Sequence, residues 1–330
     1  MDRFLVIGSN SFSGAQFCKM LLKMDYHVFA VSRSPENDTV FNPYRWSENT
    51  PKNFQFQILD INSDLIDLKS ILHRFQPHYI VNFAAQSMVA QSWEFPEHWI
   101  NTNVIAITNI VSLLKDYDQL EKFIQITTPE VYGSTSVKIK EETIFQPSTP
   151  YAVSRAAGDM MLKIYHEQFG LPVNFTRAAN VYGPGQKLYR IIPRTILACF
   201  TGQKLVLEGG GLSKRSFIHM DDVSSATLAI AQSEFNGENF HISTEEFVSI
   251  RALVEKIIDM IGVNFGDVVT LGSERLGKDQ AYFLDSQKVR KSLGWKDKIT
   301  LEQGLEETIG WVKDNLHALR TKEISYVHKQ

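Results

Sequence analysis

The chain has 330 residues, of which 43% are hydrophobic and 22% charged, and its formal net charge is −3. This composition predicts a globular protein of one large or two linked domains, and the absence of a basic block argues against nucleic acid or an anionic membrane as a general partner. The two cysteines, Cys18 and Cys199, are far apart and give neither a metal-ligand spacing nor a disulfide framework, which favours a reducing, cytoplasmic location. No stretch reaches the roughly 20 apolar residues of a membrane span, and the N-terminus does not read as a signal peptide.

The first predicted strand, residues 4–7, leads into a glycine turn and then into a helical pattern over about 13–23. In such a strand–turn–helix unit the phosphates of a dinucleotide rest on the helix N-terminus. Gly8 and Gly14 have the outer spacing of a GxxGxxG signature, but Ser11 replaces the middle glycine. A lone glycine pair is weak evidence, which the surrounding βαβ pattern strengthens. We expect the cofactor-binding turn to comprise Gly8, Asn10, Ser11, Phe12 and Gly14.

The second predicted strand, residues 27–32, ends in Ser32 and Arg33. An acidic residue at this position would bind the ribose hydroxyls of NAD. A neutral side chain followed by a cation suits the 2′-phosphate of NADP better, although a loop arginine is often only solvated. The sequence therefore predicts NADP, with NAD as the alternative.

Further strands are expected at 54–60, 79–83, 122–127 and 172–177, alternating with helices at 64–75, 101–114 and 151–169. This alternation predicts an α/β fold with a doubly wound parallel sheet of the Rossmann type. Asp60, at the end of the third strand, is expected near the adenine. Small residues after the fourth strand would let a cofactor approach the backbone. These two segments complete the expected cofactor set with Asp60, Ile61, Phe83, Ala84 and Ala85.

The pattern changes after Asn180, where Gly and Pro interrupt the sequence. Helices are expected at 192–201, 222–233, 250–262, 286–293 and 301–315, with a short strand at 205–208. We predict a dinucleotide-binding domain over residues 1–180. Residues 181–330 would form a smaller, mixed α/β substrate domain, some of whose segments return to the main sheet.

A group of chemically active side chains lies between residues 126 and 155: the hydroxyl of Thr128, the carboxylate of Glu130, the phenol of Tyr151 and the cation of Arg155. Residues four apart share one face of a helix, so Arg155 can lie beside Tyr151. A neighbouring cation lowers the pKa of a phenol from its usual value of about 10. Such a tyrosine can act as the general base for an alcohol. A Tyr–Arg pair alone is more often solvated, and only its position after a nucleotide signature favours a catalytic role.

The order of several motifs carries a family resemblance: the glycine turn, NFAAQSMVAQSWEFP from Asn82, TTPEVYG from Thr127, PYAVSRAAGD from Pro150, NVYGPGQ from Asn180, IIPR from Ile191, KRSFIHMDDV from Lys214 and ERLGKDQAYFLDSQKVRKSLGW from Glu274. The chain resembles the extended short-chain dehydrogenases that act on nucleotide sugars, and most closely the nucleotide-sugar 4,6-dehydratases. The similarity covers nearly the whole chain. It implies a polysaccharide or glycan-precursor pathway and a homodimer built on the helices expected at 101–114 and 151–169.

The resemblance also implies a mechanism. Tyr151 is the base for oxidation at C4 of the sugar, Thr128 hydrogen-bonds the C4 oxygen, and Glu130 removes the C5 proton before the C6 hydroxyl leaves. Glu130 argues against a 4-epimerase, because 4-epimerases usually lack a carboxylate at this position. UDP-glucuronate decarboxylases, however, also have one. Two positions depart from the family pattern: Arg155 replaces a lysine, and Pro129 stands where several relatives carry the acid that protonates the leaving hydroxyl.

For the nucleotide-sugar substrate, the resemblance implies Gln86, Ser87, Asn180, Arg190, Arg215 and Arg275. Arginines suit a diphosphate because they offer paired donors and a permanent charge. The alternatives are a 4-epimerase, an atypical dehydratase, or a catalytically silent NAD(P)-binding sensor. The sequence identifies neither the nucleotide base nor the hexose.

Overall fold

The computed structural model describes residues 1–47, 52–134, 137–273 and 283–329. Within these ranges, seven strands form a central sheet in which every neighbouring pair is parallel. We number them β1 Arg3–Ile7, β2 His27–Ser32, β3 Phe54–Ile58, β4 Tyr79–Asn82, β5 Lys122–Thr127, β6 Val173–Ala178 and β7 Asn239–Ile242. Their spatial order is β3-β2-β1-β4-β5-β6-β7. The doubly wound parallel sheet predicted from the sequence is thereby confirmed.

The central strands are apolar along their length because helices cover both faces of the sheet. On β1, Phe4 and Val6 face one apolar cluster while Leu5 and Ile7 face another, as the alternation of side chains along a strand requires. All four are at most 1% exposed. The two clusters fix the sheet between its helices, so that the loops at the carboxyl ends of the strands are held in place.

The helices follow the predicted order with shifted ends. The α-helices are Phe12–Lys23, Leu65–Phe75, Val89–Ser92, Pro96–Ile100, Ala106–Leu114, Pro150–Phe169, Ile191–Thr201, Met220–Ala231, Ile250–Ile261, Phe265–Val268, Gln287–Leu293, Leu301–Asp314 and Leu316–Leu319. Shorter 3-10 turns are Thr39–Phe41, Pro43–Arg45, Pro129–Tyr132 and Gly209–Gly211. Short strand pairs join Lys138–Ile139 to Phe283–Leu284, Asn180–Tyr182 to Phe217–His219, Leu205–Glu208 to Val269–Gly272 and Lys214–Arg215 to Val248–Ser249. In the part of the chain so described, no helix is long and apolar enough to cross a membrane.

Several predicted boundaries differ from the observed ones by one or two residues, and two differences concern elements near the predicted site. The third strand ends at Ile58, two residues before the expected Asp60. The helix expected at 101–114 begins as a π-helical turn, Asn101–Ile105, and becomes α-helical at Ala106. A π-turn of this kind is often found at a functional site, and this one packs against the helix Pro150–Phe169.

The strand order places a crevice between β1 and β4. From β1 the chain proceeds outward to β2 and β3 on one side, and β4 begins the progression to the other side. In open parallel sheets, ligands bind at the carboxyl ends of the strands beside such a switch point. The division of the chain near residue 180 stays a prediction; β7, which comes from the second half, pairs with β6 in the main sheet.

Candidate active site

The glycine turn after β1 lies against the loop after β4. Gly8 has a φ of +81°, and a Cβ added to it would lie 2.5 Å from the backbone nitrogen of Ala84. Ser11 caps the following helix: its hydroxyl donates to the Gly8 carbonyl over 2.7 Å and accepts from the Gly14 N–H over 3.0 Å. A serine at the middle glycine position therefore closes the turn through its hydroxyl. The N-terminus of the helix Phe12–Lys23 is thus directed toward the carboxyl end of β1.

The surroundings of this turn fit a dinucleotide. Asn10 donates to the carbonyls of Ser34 and Pro35, and its buried Oδ1 finds no partner among the described residues. The Phe83 ring packs on Phe17 with centroids 5.5 Å apart, so it belongs to the core. A buried unpaired acceptor at Asn10 and the close backbone approach at Gly8 both suit a bound nucleotide.

The remaining predicted cofactor residues lie at neighbouring strand ends. Ser32 ends β2, and the guanidinium of Arg33 donates to the Lys329 carbonyl over 3.2 Å. The Asp60 carboxylate accepts from the backbone and side-chain amides of Asn62, each over 2.9 Å. Ile61 is buried, whereas Ala84, whose backbone lies against Gly8, and Ala85 are half-buried.

Four predicted catalytic residues meet at the end of β5. Thr128 caps the 3-10 turn Pro129–Tyr132, its hydroxyl accepting from the Glu130 N–H over 3.2 Å. Tyr151 lies in the first turn of the helix Pro150–Phe169 and is 7% exposed. Burial raises the pKa of Tyr151, the Arg155 charge lowers it and Glu130 raises it, while a hydrogen bond with Thr128 and the charge of Arg190 lower it. These residues therefore act on one another within a single site.

Arg155 points toward the end of β5. Its guanidinium donates to the carbonyl of Ile126, and the residue is only 4% exposed. As expected, the charge of Arg155 lowers the pKa of Tyr151. Burial raises that pKa by more, so the pKa of Tyr151 lies above its usual value. The sequence pattern located the cation correctly, but it could not give the cost of burying the phenol.

A buried ion pair lies one helical turn beyond Arg155. The carboxylate of Asp159 accepts from the Thr127 hydroxyl over 2.8 Å and from Arg177 on β6 over 2.7 Å. Arg177 is fully buried, and its guanidinium also lies over the rings of Tyr132 and Phe145. Sequence reasoning missed this pair because its partners are on different elements.

Asn103, in the π-turn, also escaped the sequence analysis. Its side chain accepts from the Gln86 N–H and donates to both the Gln86 carbonyl and the Ser154 hydroxyl, each over 2.9 Å. Asn103 is 2% exposed. It therefore ties the loop after β4 to the helix that carries Tyr151. The sequence feature that could have identified Asn103 is its polar side chain within an otherwise apolar stripe of the predicted helix.

The predicted substrate residues are distributed more widely. Ser87, Asn180 and Arg190 are exposed in segments that follow β4 and β6. Gln86 is buried, and its side-chain amide donates to the Lys329 carbonyl over 2.7 Å. Arg215 lies on the short strand Lys214–Arg215, and Arg275 lies outside the described residues.

The Asp159–Arg177 pair gives a prediction about stability. We expect Asp159→Asn to lower the free energy of unfolding by about 3 kcal/mol, because it leaves a buried guanidinium without its counter-charge. Urea unfolding measures this loss. The control is Glu167→Gln on the same helix, whose exposed pair with Lys163 spans 4.0 Å and should contribute less than about 0.5 kcal/mol. Equal effects of the two substitutions would contradict the importance of the buried pair.

Comparisons with known proteins agree with this geometry. The family model for GDP-mannose 4,6 dehydratase matches residues 5–308. The dTDP-glucose 4,6-dehydratase of Haemophilus influenzae is 27% identical over 340 residues, which cover 94% of this chain and 98% of the relative. A crystal structure of the dTDP-glucose 4,6-dehydratase of Streptomyces venezuelae with NAD bound has a TM-score of 0.88 and 28% identity, covering 96% of this chain and 98% of that one. The UDP-glucose 4-epimerase of Thermotoga maritima is nearly as similar in fold, with a TM-score of 0.85, 27% identity and coverage of 95% and 99%. The chain belongs to the GDP-mannose 4,6-dehydratase family.

Proposed function

We propose that the protein is a nucleotide-sugar 4,6-dehydratase, a hydro-lyase that converts a nucleoside-diphosphate hexose to the 4-keto-6-deoxy sugar. The observation that carries this proposal is the grouping of Thr128, Glu130 and Tyr151 at the carboxyl end of β5. The hydroxyl can hydrogen-bond the sugar oxygen that is oxidised, the carboxylate can remove a proton from carbon, and the phenol can remove the proton of an alcohol. Family membership supports the same reaction.

Each proton transfer of the proposed reaction is assigned to one residue of the chain. A nicotinamide bound in the crevice would supply the redox chemistry, as acceptor of the C4 hydride and donor of the same hydride to C6. Tyr151 takes the proton of the C4 hydroxyl, and Thr128 holds the oxygen that becomes a carbonyl. The carbonyl makes the C5 proton acidic, and Glu130 removes that proton.

The leaving hydroxyl at C6 needs a proton, which Pro129 cannot give. Glu130 becomes a carboxylic acid when it takes the C5 proton, and we propose that it passes this proton to the C6 oxygen, which departs as water. One carboxylate then serves as base and acid in turn. The proton taken from C5 leaves with the water, so the elimination balances. When the hydride is added at C6, C5 takes up a proton from solvent, and Tyr151 releases to solvent the proton that it took from the C4 hydroxyl.

The first alternative is a 4-epimerase, which the similarity to the Thermotoga maritima structure favours on fold alone. An epimerase has no use for a base at C5, so Glu130 argues for the dehydratase. The second alternative is a silent NAD(P)-binding sensor, suggested by Arg155 in place of the usual lysine. The presence of Thr128, Glu130 and Tyr151 in one site argues against lost turnover.

We propose NADP as the cofactor, with NAD as the alternative. The serine at the end of β2 and the cation after it support NADP, whereas the Streptomyces venezuelae relative has NAD bound. Among the expected cofactor residues, those of the glycine turn follow β1 and Ala84 and Ala85 follow β4, on the two sides of the crevice, while Ser32, Arg33 and Asp60 follow β2 and β3. Dissociation constants measured for both dinucleotides would decide between them.

We also propose a homodimer built on the helices Ala106–Leu114 and Pro150–Phe169 and the turns before the first of them. Apolar side chains stand exposed there, at 39–57% of their surface: Ile100, Ile105, Val153, Met160, Ile164 and Phe169. Exposed apolar patches commonly mark protein interfaces. Light scattering on the eluted protein would give the mass of the assembly.

The reaction is tested by incubating the protein with dTDP-glucose, GDP-mannose, UDP-N-acetylglucosamine and GDP-N-acetylglucosamine in deuterated water. We expect one of these substrates to lose one water and to gain one deuterium at C5, as read by mass spectrometry. An unchanged mass with inverted C4 would establish the epimerase. Unchanged sugars with dinucleotide still bound would favour the sensor.

A further inference from the structure

The segment 322–329, which we call the strap, forms neither helix nor strand and lies beyond the residues matched by the family model. Its side chains alternate in exposure. Lys322, Ile324, Tyr326 and His328 are half-buried, whereas the four residues between and after them are exposed. An alternation of period two means that one side of an extended segment packs against a surface. The strap is therefore docked along one edge rather than free in solvent.

The first half of the strap is anchored by charge and apolar packing. The ammonium of Lys322 forms an ion pair with Asp38 and holds the pKa of that carboxyl below its usual range. Ile324 packs against the apolar cluster that contains Val40 and Phe41. These contacts fix the strap beside the segment that follows β2.

The second half crosses the mouth of the crevice. The Tyr326 ring meets the Tyr189 ring edge-on, with centroids 5.5 Å apart. Burial and Tyr189 raise the pKa of Tyr326, while the charges of Arg33 and Arg190 lower it. The phenol is thus within electrostatic reach of the predicted cofactor side and of the predicted sugar side.

His328 is attached through stacked rings. Its ring stacks on Trp99 and on His98, with centroids 5.1 and 5.2 Å apart. Its Nε2 lies 2.9 Å from Nδ1 of His98, at hydrogen-bonding distance. Phe95 extends the stack, with its ring 5.4 Å from that of His328.

The position of Lys329 shows what the strap covers. Its carbonyl accepts from Arg33, which follows β2, and from Gln86, which follows β4. In the sheet, β1 lies between β2 and β4, so this carbonyl lies over the carboxyl end of β1. That is the place of the glycine turn, where a dinucleotide binds in folds of this kind.

We propose that the strap is an internal ligand of the dinucleotide crevice and that its release is coupled to cofactor binding. The inference rests on the proposed function, since it assumes a dinucleotide in this crevice. The guanidinium of Arg33 cannot hold the Lys329 carbonyl and a ribose phosphate in the same place. The docked chain is the form that does not bind dinucleotide, and the apparent affinity falls with the fraction of chains in that form.

The test uses the full chain with two inward side chains removed, Tyr326→Ala combined with His328→Ala. Neither residue is assigned to the cofactor or the sugar. Calorimetric titration with NADP and NAD should show binding about tenfold tighter than in the unsubstituted chain. The matched control, Val327→Ala, changes an outward side chain that is 62% exposed and should leave the affinity unchanged.

Unchanged or weaker binding in the double variant, with native circular dichroism, would overturn the inference while leaving the cofactor proposal intact. Failure of every variant to bind either dinucleotide would overturn both. Hydrogen–deuterium exchange on the unsubstituted chain gives an independent measurement. Saturating dinucleotide should speed exchange in peptides covering 322–329 and slow it in the glycine turn. Slower exchange in both segments would contradict release and would show that the strap stays docked and lines the dinucleotide site.

Discussion

Tyr151→Phe is expected to lower kcat by about 10²- to 10⁴-fold while nucleotide-sugar and dinucleotide binding persist, because the substitution removes the general base and keeps the buried ring. The raised pKa of Tyr151 also sets a pH dependence. The base works only when deprotonated, so the rate of the unsubstituted enzyme should rise with pH toward that pKa. The variant should lose this rise. Steady-state rates between pH 6 and 10, with binding measured separately by titration, test both expectations.

The control for this prediction is Tyr165→Phe on the same helix. The hydroxyl of Tyr165 lies 2.9 Å from that of Ser112, and neither residue is assigned to the site. We expect its activity and pH profile to match those of the unsubstituted protein. If Tyr151→Phe retained full turnover with an unaltered pH profile, Tyr151 could not be the base.

The sheet was predictable because its first six strands are short segments rich in apolar residues between turn residues, and the parallel order follows from the intervening helices. The seventh strand, β7, was not predicted as a strand. Its sequence, NFHI, is too short and too polar to stand out, and it becomes a strand by pairing with β6. Only the tertiary structure supplies that partner. The same holds for Arg177, whose type gives no sign that it is fully buried.

The candidate site divides in a similar way. Thr128, Glu130, Tyr151 and Arg155 occur in two contiguous motifs, so sequence order was enough to propose that they act together. Asn103 was missed because its role depends on contacts with a distant loop and helix. The strap was missed for a stronger reason: its residues have ordinary polarity, and their alternation is visible only as a pattern of burial. Neither feature has a local sequence signature, since each depends on elements far away in the chain.

Glu130→Gln is expected to separate the two halves of the proposed reaction. The amide cannot take the C5 proton, so elimination should fall by about 10²- to 10⁴-fold. Tyr151 and Thr128 are unchanged, so oxidation at C4 should continue. Reduced dinucleotide should therefore accumulate, and absorbance at 340 nm after mixing with the nucleotide sugar would follow it. Glu142→Gln, at an exposed position nearby, is the control and should show normal turnover.

This substitution also tests whether Glu130 serves as the acid in place of Pro129. If Glu130 provides both proton transfers, Pro129→Asp should add a second acid but should not restore elimination to Glu130→Gln, because the C5 base is still missing. Recovery of dehydration in the combined variant would assign the base to another residue. Loss of C4 oxidation in Glu130→Gln, with no reduced dinucleotide formed, would instead place Glu130 in the first step. The two proton transfers can thus be assigned separately, because the step at C4 and the step at C5 produce different signals.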